Sequence, residues 1–174
     1  MLNEVVNNSI RFLVLMTLQV LLLNNIQFSG YINPMLYTMF ILMLPLETAT
    51  WLVICIGFIT GITMDTFCNS AGLHAAATTL MAYSRSYILK LFSPRDGYEF
   101  GMKPTLYSLG TAWFIYYATI LILIHHFMLF YLESFRFSEF FFSFGKAIMS
   151  GFFSLLLILI SQLLIYKPKA GYSG

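Results

Sequence analysis

Six stretches of this chain are too long and too apolar for the core of a small water-soluble domain, and that restricts the fold to one solved in lipid. They run near residues 10–24, 31–46, 51–67, 72–92, 106–132 and 143–166. A hydrocarbon layer about 30 Å thick needs about 20 helical residues, so each stretch is a candidate span. Of 174 residues, 59% are apolar or aromatic and 9% charged; an ordinary soluble domain has roughly 25% charged residues to coat its surface. Barrel strands would alternate over about ten residues, whereas Leu155-Leu156-Leu157-Ile158-Leu159-Ile160 is continuous. The expected fold is an all-α integral membrane protein, a compact bundle of six transmembrane helices forming a single polytopic domain over residues 1–174. Glu4 and a lone Arg11 make a poor basic start for a signal peptide, so the first stretch is expected to stay attached.

The second stretch lies between Pro34 and Pro45 and covers about 24 Å even with Tyr31 included, short for a span. Charge asymmetry argues for keeping it. With six spans, Arg11, Arg85, Lys90, Arg95, Lys103, Lys167 and Lys169 fall on or near the cytoplasmic side, leaving Arg136 and Lys146 outside. Both termini are then cytoplasmic. The longest connection, residues 93–105, holds two prolines and two glycines and reads as a turn-rich cytoplasmic loop. Its Arg95, Asp96 and Lys103 are candidate contacts for a partner. Outside, residues 133–139 lead into Phe140-Phe141-Phe142, a strip suited to the lipid headgroups.

Within the spans, Gly57, Gly61 and Asp65 recur every fourth residue, and Gly72-Leu73-His74 follows. In a helix that spacing stacks two bare backbone positions and a carboxylate on one face, where a second helix can come close. Gly57, Gly61, Asp65 and Gly72 are therefore the candidates for helix packing or partner binding. An acid beside lipid is costly, so Asp65 is expected to face the bundle interior. A buried polar network is expected from Asp65, His74, His125, His126, Glu47 and Arg85, with Glu47 and Arg85 as a possible pair. Histidine with carboxylate is also a ligand set for a proton or a metal. No HExxH or Cys/His spacing accompanies these residues, and the commoner use of such groups is to satisfy one another and fix helix register.

Catalytic signatures are weak. Ser143-Phe144-Gly145-Lys146 matches a Ser-x-x-Lys pattern, without the companion elements that penicillin-recognising enzymes carry. There is no phosphate-binding loop, nucleophile elbow or basic patch for nucleic acid, and Cys55 and Cys68 suggest neither a disulfide framework nor a zinc site. No enzyme activity, metal or cofactor is expected.

Several segments together resemble a known family. They are Asn8-Ser9-Ile10-Arg11-Phe12, Gln19-Val20-Leu21 with Asn24-Asn25-Ile26, Gly30-Tyr31-Ile32-Asn33-Pro34, Leu44-Pro45-Leu46-Glu47-Thr48, Gly61 through Asp65, Gly72-Leu73-His74-Ala75-Ala76, Ser93-Pro94-Arg95-Asp96-Gly97-Tyr98-Glu99 and Leu157-Ile158-Leu159-Ile160-Ser161-Gln162. The family is the bacterial rod shape-determining membrane protein MreD, particularly its Bacteroidetes forms. The most specific element there is Gly-x-x-x-Asp followed by a Leu-Gly turn, which here reads Gly61 to Asp65 and then Ala71-Gly72. The resemblance implies a six-helix inner-membrane subunit, similar in fold to the substrate-binding subunits of energy-coupling-factor transporters. It also implies a scaffold that binds MreC and, through it, supports MreB, RodA and a penicillin-binding transpeptidase in lateral peptidoglycan synthesis and cell-shape maintenance. No cofactor is implied.

Two other functions stay open. A small-molecule-binding transporter subunit follows from the fold analogy, although such subunits dock through small residues on the first helix, where residues 10–23 here carry Leu, Val, Met and Phe. A proton-coupled membrane protein would use Asp65 with His74, His125 and His126.

Overall fold

The computed structural model describes residues 2–25, 31–134 and 139–165. Arg136, Lys167 and Lys169, Gly30 and residues 135–138 lie outside the described residues. The regular structure is helical: α1 (Leu2–Leu21), α2 (Met39–Leu42), α3 (Thr50–Cys68), α4 (Leu73–Leu91), α5 (Leu106–Leu109), α6 (Thr111–Ser134) and α7 (Phe140–Ile165). Single 3-10 turns occupy Leu23–Asn25 and Leu36–Thr38. Among the described residues the protein is all-α, with four helices long and apolar enough to cross a membrane, Val5–Asn25 with its 3-10 end, Thr50–Cys68, Thr111–Ser134 and Phe140–Ile165.

Helix α3 packs on α4, α4 on α6 and α6 on α7, each antiparallel to the last. One end of the bundle carries the turn at residues 69–72 and is called here the turn end. The other carries residues 93–105 and is called the loop end. The third and fourth apolar stretches match α3 and α4 to within a residue. The fifth is interrupted: Gly110, at φ 89°, separates the one-turn α5 from α6. The sixth starts early, because Phe140-Phe141-Phe142 are the first residues of α7 rather than a separate strip.

The second stretch departs most from expectation. It is no lipid-facing helix, since residues 34–44 are all buried and only Leu36–Thr38 and Met39–Leu42 are helical. Proline explains the break. Pro34 bars its predecessor from helical geometry, and Pro45 ends the turn begun at Met39, so fewer than a dozen residues are left to helix formation. The segment still runs from end to end through the interior. Tyr31 packs edge-on against Phe142 near the turn end (5.1 Å between centroids), and Glu47 accepts a hydrogen bond from Gly101 N in the loop.

Candidate functional site

An irregular backbone inside a bundle must find its hydrogen bonds in side chains, because neither a helix nor lipid supplies them. The buried polar residues do this in two layers. Near the turn end, Gln19 Oε1 accepts from Leu36 N at 2.7 Å and Tyr37 N at 3.3 Å, while its Nε2 donates to Pro34 O at 3.1 Å. Ser150 Oγ accepts from Asn33 N (3.0 Å) and Ser154 Oγ from Met35 N (2.8 Å). In the same layer Tyr37 OH lies 2.9 Å from His74 Nδ1 and 2.8 Å from His125 Nε2.

Partners fix the ring assignments. His126 Nδ1 faces the carbonyl of Ile122 at 2.8 Å, so Nδ1 carries the hydrogen, and Nε2 lies 3.0 Å from Ser154 Oγ, whose single proton is shared between it and Ser150 O at 2.8 Å. Tyr37 OH can donate to only one of its two histidines. Since His125 Nδ1 is buried without a partner, the cheaper arrangement leaves a bare lone pair there, with His125 Nε2–H donating to Tyr37 and Tyr37 to His74.

Near the loop end the polar groups gather carbonyls left over where α2 stops. Arg85 is 1% exposed, and it donates from Nη2 to Leu44 O (2.5 Å) and Pro45 O (3.3 Å) and from Nε to Tyr117 OH (2.9 Å). Tyr117 OH donates to Leu42 O at 2.9 Å and Arg11 Nη1 to Met43 O at 3.1 Å. Gln162 Nε2 reaches Met43 Sδ at 2.9 Å. The expected Glu47–Arg85 pair is not formed, because backbone carbonyls already occupy the guanidinium and Glu47, exposed, turns to Gly101 N.

Between the layers α2, α4, α6 and α7 each present an apolar side chain: Ile41, Met81, Leu121 and Ile158 are all fully buried in one cluster. The histidines and Arg85 are thus kept apart.

Asp65 joins neither layer. The N-cap position before α4 is Gly72, a residue with no side chain to cap the first amides of the helix. Asp65 supplies that cap from the neighbouring helix: Oδ1 accepts from His74 N at 3.0 Å and Ser70 Oγ at 2.6 Å, and Oδ2 from Ala75 N at 2.9 Å. A carboxylate facing free amides at a helix N-terminus is favourable in hydrogen bonding and in charge. Gly61 makes this possible. A Cβ there would fall 2.4 Å from Ala75 Cα and 2.6 Å from His74 O, so only glycine lets α4 come that near. At Gly57 the added atom would meet Ala82 Cβ at 2.7 Å. Gly72 differs from the expectation for it: nothing lies within 4 Å, and its requirement is the left-handed φ of 83°.

Asp65 and His74 are therefore adjoining parts of one turn, His74 joins His125 through Tyr37, and His126 bonds Ser154 separately. Arg95, Asp96 and Lys103 stand exposed in the loop. Beside His74 a cavity of about 320 Å³ opens, with Gln19, Asn24, Asn33 and Glu133 among its lining. Among the described residues no group of three His, Cys, Asp or Glu side chains could hold a metal ion.

Sequence reasoning missed Gln19, Tyr117, Ser150 and Ser154 as interior ligands of the backbone, and Tyr37 as the bridge between His74 and His125. A signal existed in α7, where Ser150, Ser154, Ile158 and Gln162 recur every fourth residue and are fully buried. Compared with known proteins, the chain matches no family model, no curated protein and no solved structure.

Proposed function

We propose that this chain is a non-enzymatic membrane scaffold of the bacterial cell-elongation machinery, of the MreD type, that binds MreC. The observation supporting a scaffold is how its buried polar groups are used: Gln19, Ser150, Ser154, Arg85 and Tyr117 hold the chain's own irregular segment, and Asp65 caps its own helix. The apolar layer of Ile41, Met81, Leu121 and Ile158 weighs against a proton path joining the two ends. Which scaffold it is rests on the sequence resemblance. In this reading the protein crosses the inner membrane six times, in a bundle similar to energy-coupling-factor substrate-binding subunits. The second crossing passes inside the protein, and both termini are cytoplasmic. MreB, RodA and a penicillin-binding transpeptidase are reached through MreC.

The test is affinity capture of the tagged full chain from native membranes, read by mass spectrometry. Recovery of MreC supports the reading. Recovery of the chain at normal abundance without wall-building proteins overturns it.

The cavity beside His74 favours a second reading, a small-molecule-binding transporter subunit. Ligand at a hundred times its dissociation constant then stabilises the protein by about 2.7 kcal/mol. A vitamin screen with no shift in melting temperature removes that reading.

A further inference from the structure

Between α1 and α3, in the half of each helix nearer the loop end, lies a groove of about 590 Å³. Its floor is Phe40 and Leu44 of the buried segment, and Leu13 and Ile56 stand on its walls. Depth, closure and polarity together select an occupant.

On each wall, from Val5 to Leu13 on α1 and from Leu52 to Thr60 on α3, the groove is about 12 Å long at helical rise. That is close to half of a hydrocarbon core about 30 Å thick. Further toward the turn end, Met16 of α1 and Met64 of α3 lie in one buried cluster with Met35 and Tyr37, and the groove stops. A transmembrane helix needs a seat through the whole thickness, whereas a hydrocarbon chain entering from one leaflet needs half.

The lining is also graded. Asn8, Ser9 and Thr48 lie in its loop-end half beside Val5 and Pro45, and the deeper lining is apolar but for Thr60, whose hydroxyl donates to Ile56 O at 2.7 Å. Arg11 can only donate, and its Nη1 lies 3.1 Å from Asn8 Oδ1, so the Asn8 amide has its NH2 left to offer a ligand. Ester carbonyls only accept.

We propose that this groove seats one acyl chain of a bilayer phospholipid from the loop-end leaflet. Its ester carbonyls meet Asn8, Ser9 and Thr48, and its methylenes lie against Phe40 and Leu44. A chain already in lipid gains nothing from leaving water, so selection rests on close packing and the polar mouth. The lipid thereby touches the element whose backbone is held by side chains rather than by its own helix. The proposal stands apart from the scaffold role: a protein that captures no wall-building partner still carries the lipid.

The test uses the full chain in nanodiscs containing phosphatidylglycerol with a diazirine at mid-chain, followed by irradiation and mapping of adducts. Adducts concentrate on Phe40 and Ile56 relative to Leu163 and Leu164, which are exposed on α7. Filling the groove with Leu13→Trp and Leu52→Trp together abolishes the Phe40 adduct and leaves those on α7. A wild-type map without a Phe40 adduct overturns the proposal, whether or not the tryptophan variant folds. So does a Phe40 adduct that persists in the folded, filled variant. Labelling of Phe40 by a free diazirine fatty acid but not by the phospholipid, or a crosslink there to a second polypeptide, also overturns it.

Discussion

Asp65 is the residue on which the turn end is built. Its two oxygens take the amides that α4 leaves open at His74 and Ala75, so removing them strands buried donors. Asp65→Ala is expected to lower stability by about 3 kcal/mol, and Asp65→Asn, which keeps one accepting oxygen, by less. Unfolding in mixed micelles measures both; equal loss in the two variants would contradict the cap. Gly61 depends on the same contact. The obstacle to a side chain there is three backbone atoms of His74 and Ala75 within 2.6 Å, whereas at Gly57 the nearest atoms, Ala82 Cβ at 2.7 Å and Thr78 O at 3.0 Å, are equally fixed but less close. Gly61→Ala should cost about 1–3 kcal/mol and exceed Gly57→Ala in the same assay. A reversed order would mean that α3 and α4 separate more easily than their packing indicates.

At the scale of elements, the interior segment between Pro34 and Pro45 and the stripe on α7 form one unit. Ser150 and Ser154 hold the amides of Asn33 and Met35 two residues apart in the segment and four apart on the helix, as extended chain beside helix requires. Ser150→Ala with Ser154→Ala should speed amide exchange at Asn33 and Met35 by about tenfold per lost bond, while α6 stays unchanged. Exchange that rises everywhere would point to global loosening instead. Helix α4 illustrates a different balance. It carries Arg85 fully inside, and the guanidinium is tolerated because carbonyls at the end of the broken segment point toward it.

For the whole molecule, two polar layers with Ile41, Met81, Leu121 and Ile158 packed between them make a bundle with specified register. The proposed six crossings put residue 70 and residue 95 on opposite sides of the membrane. With Cys55 and Cys68 replaced by serine, Ser70→Cys and Arg95→Cys should react with a membrane-impermeant maleimide from opposite faces of sealed vesicles. Labelling of both from one face would require an even number of crossings between them.

How much was legible follows from which physics acts locally. Apolar length alone placed α3 and α4 almost to the residue, since a helix in lipid is set by hydrophobic run and rise. The spacing of Gly57, Gly61 and Asp65 announced a close helix contact, because period and side-chain size are written in the chain. Composition could not reveal that residues 31–46 pass through the protein instead of lipid, as both surroundings are equally apolar. Nor could it choose partners: Arg85 takes carbonyls rather than Glu47, and Asp65 takes amides rather than a histidine ring. Those choices depend on which backbone groups a distant segment leaves unpaired, and only packing in three dimensions settles that.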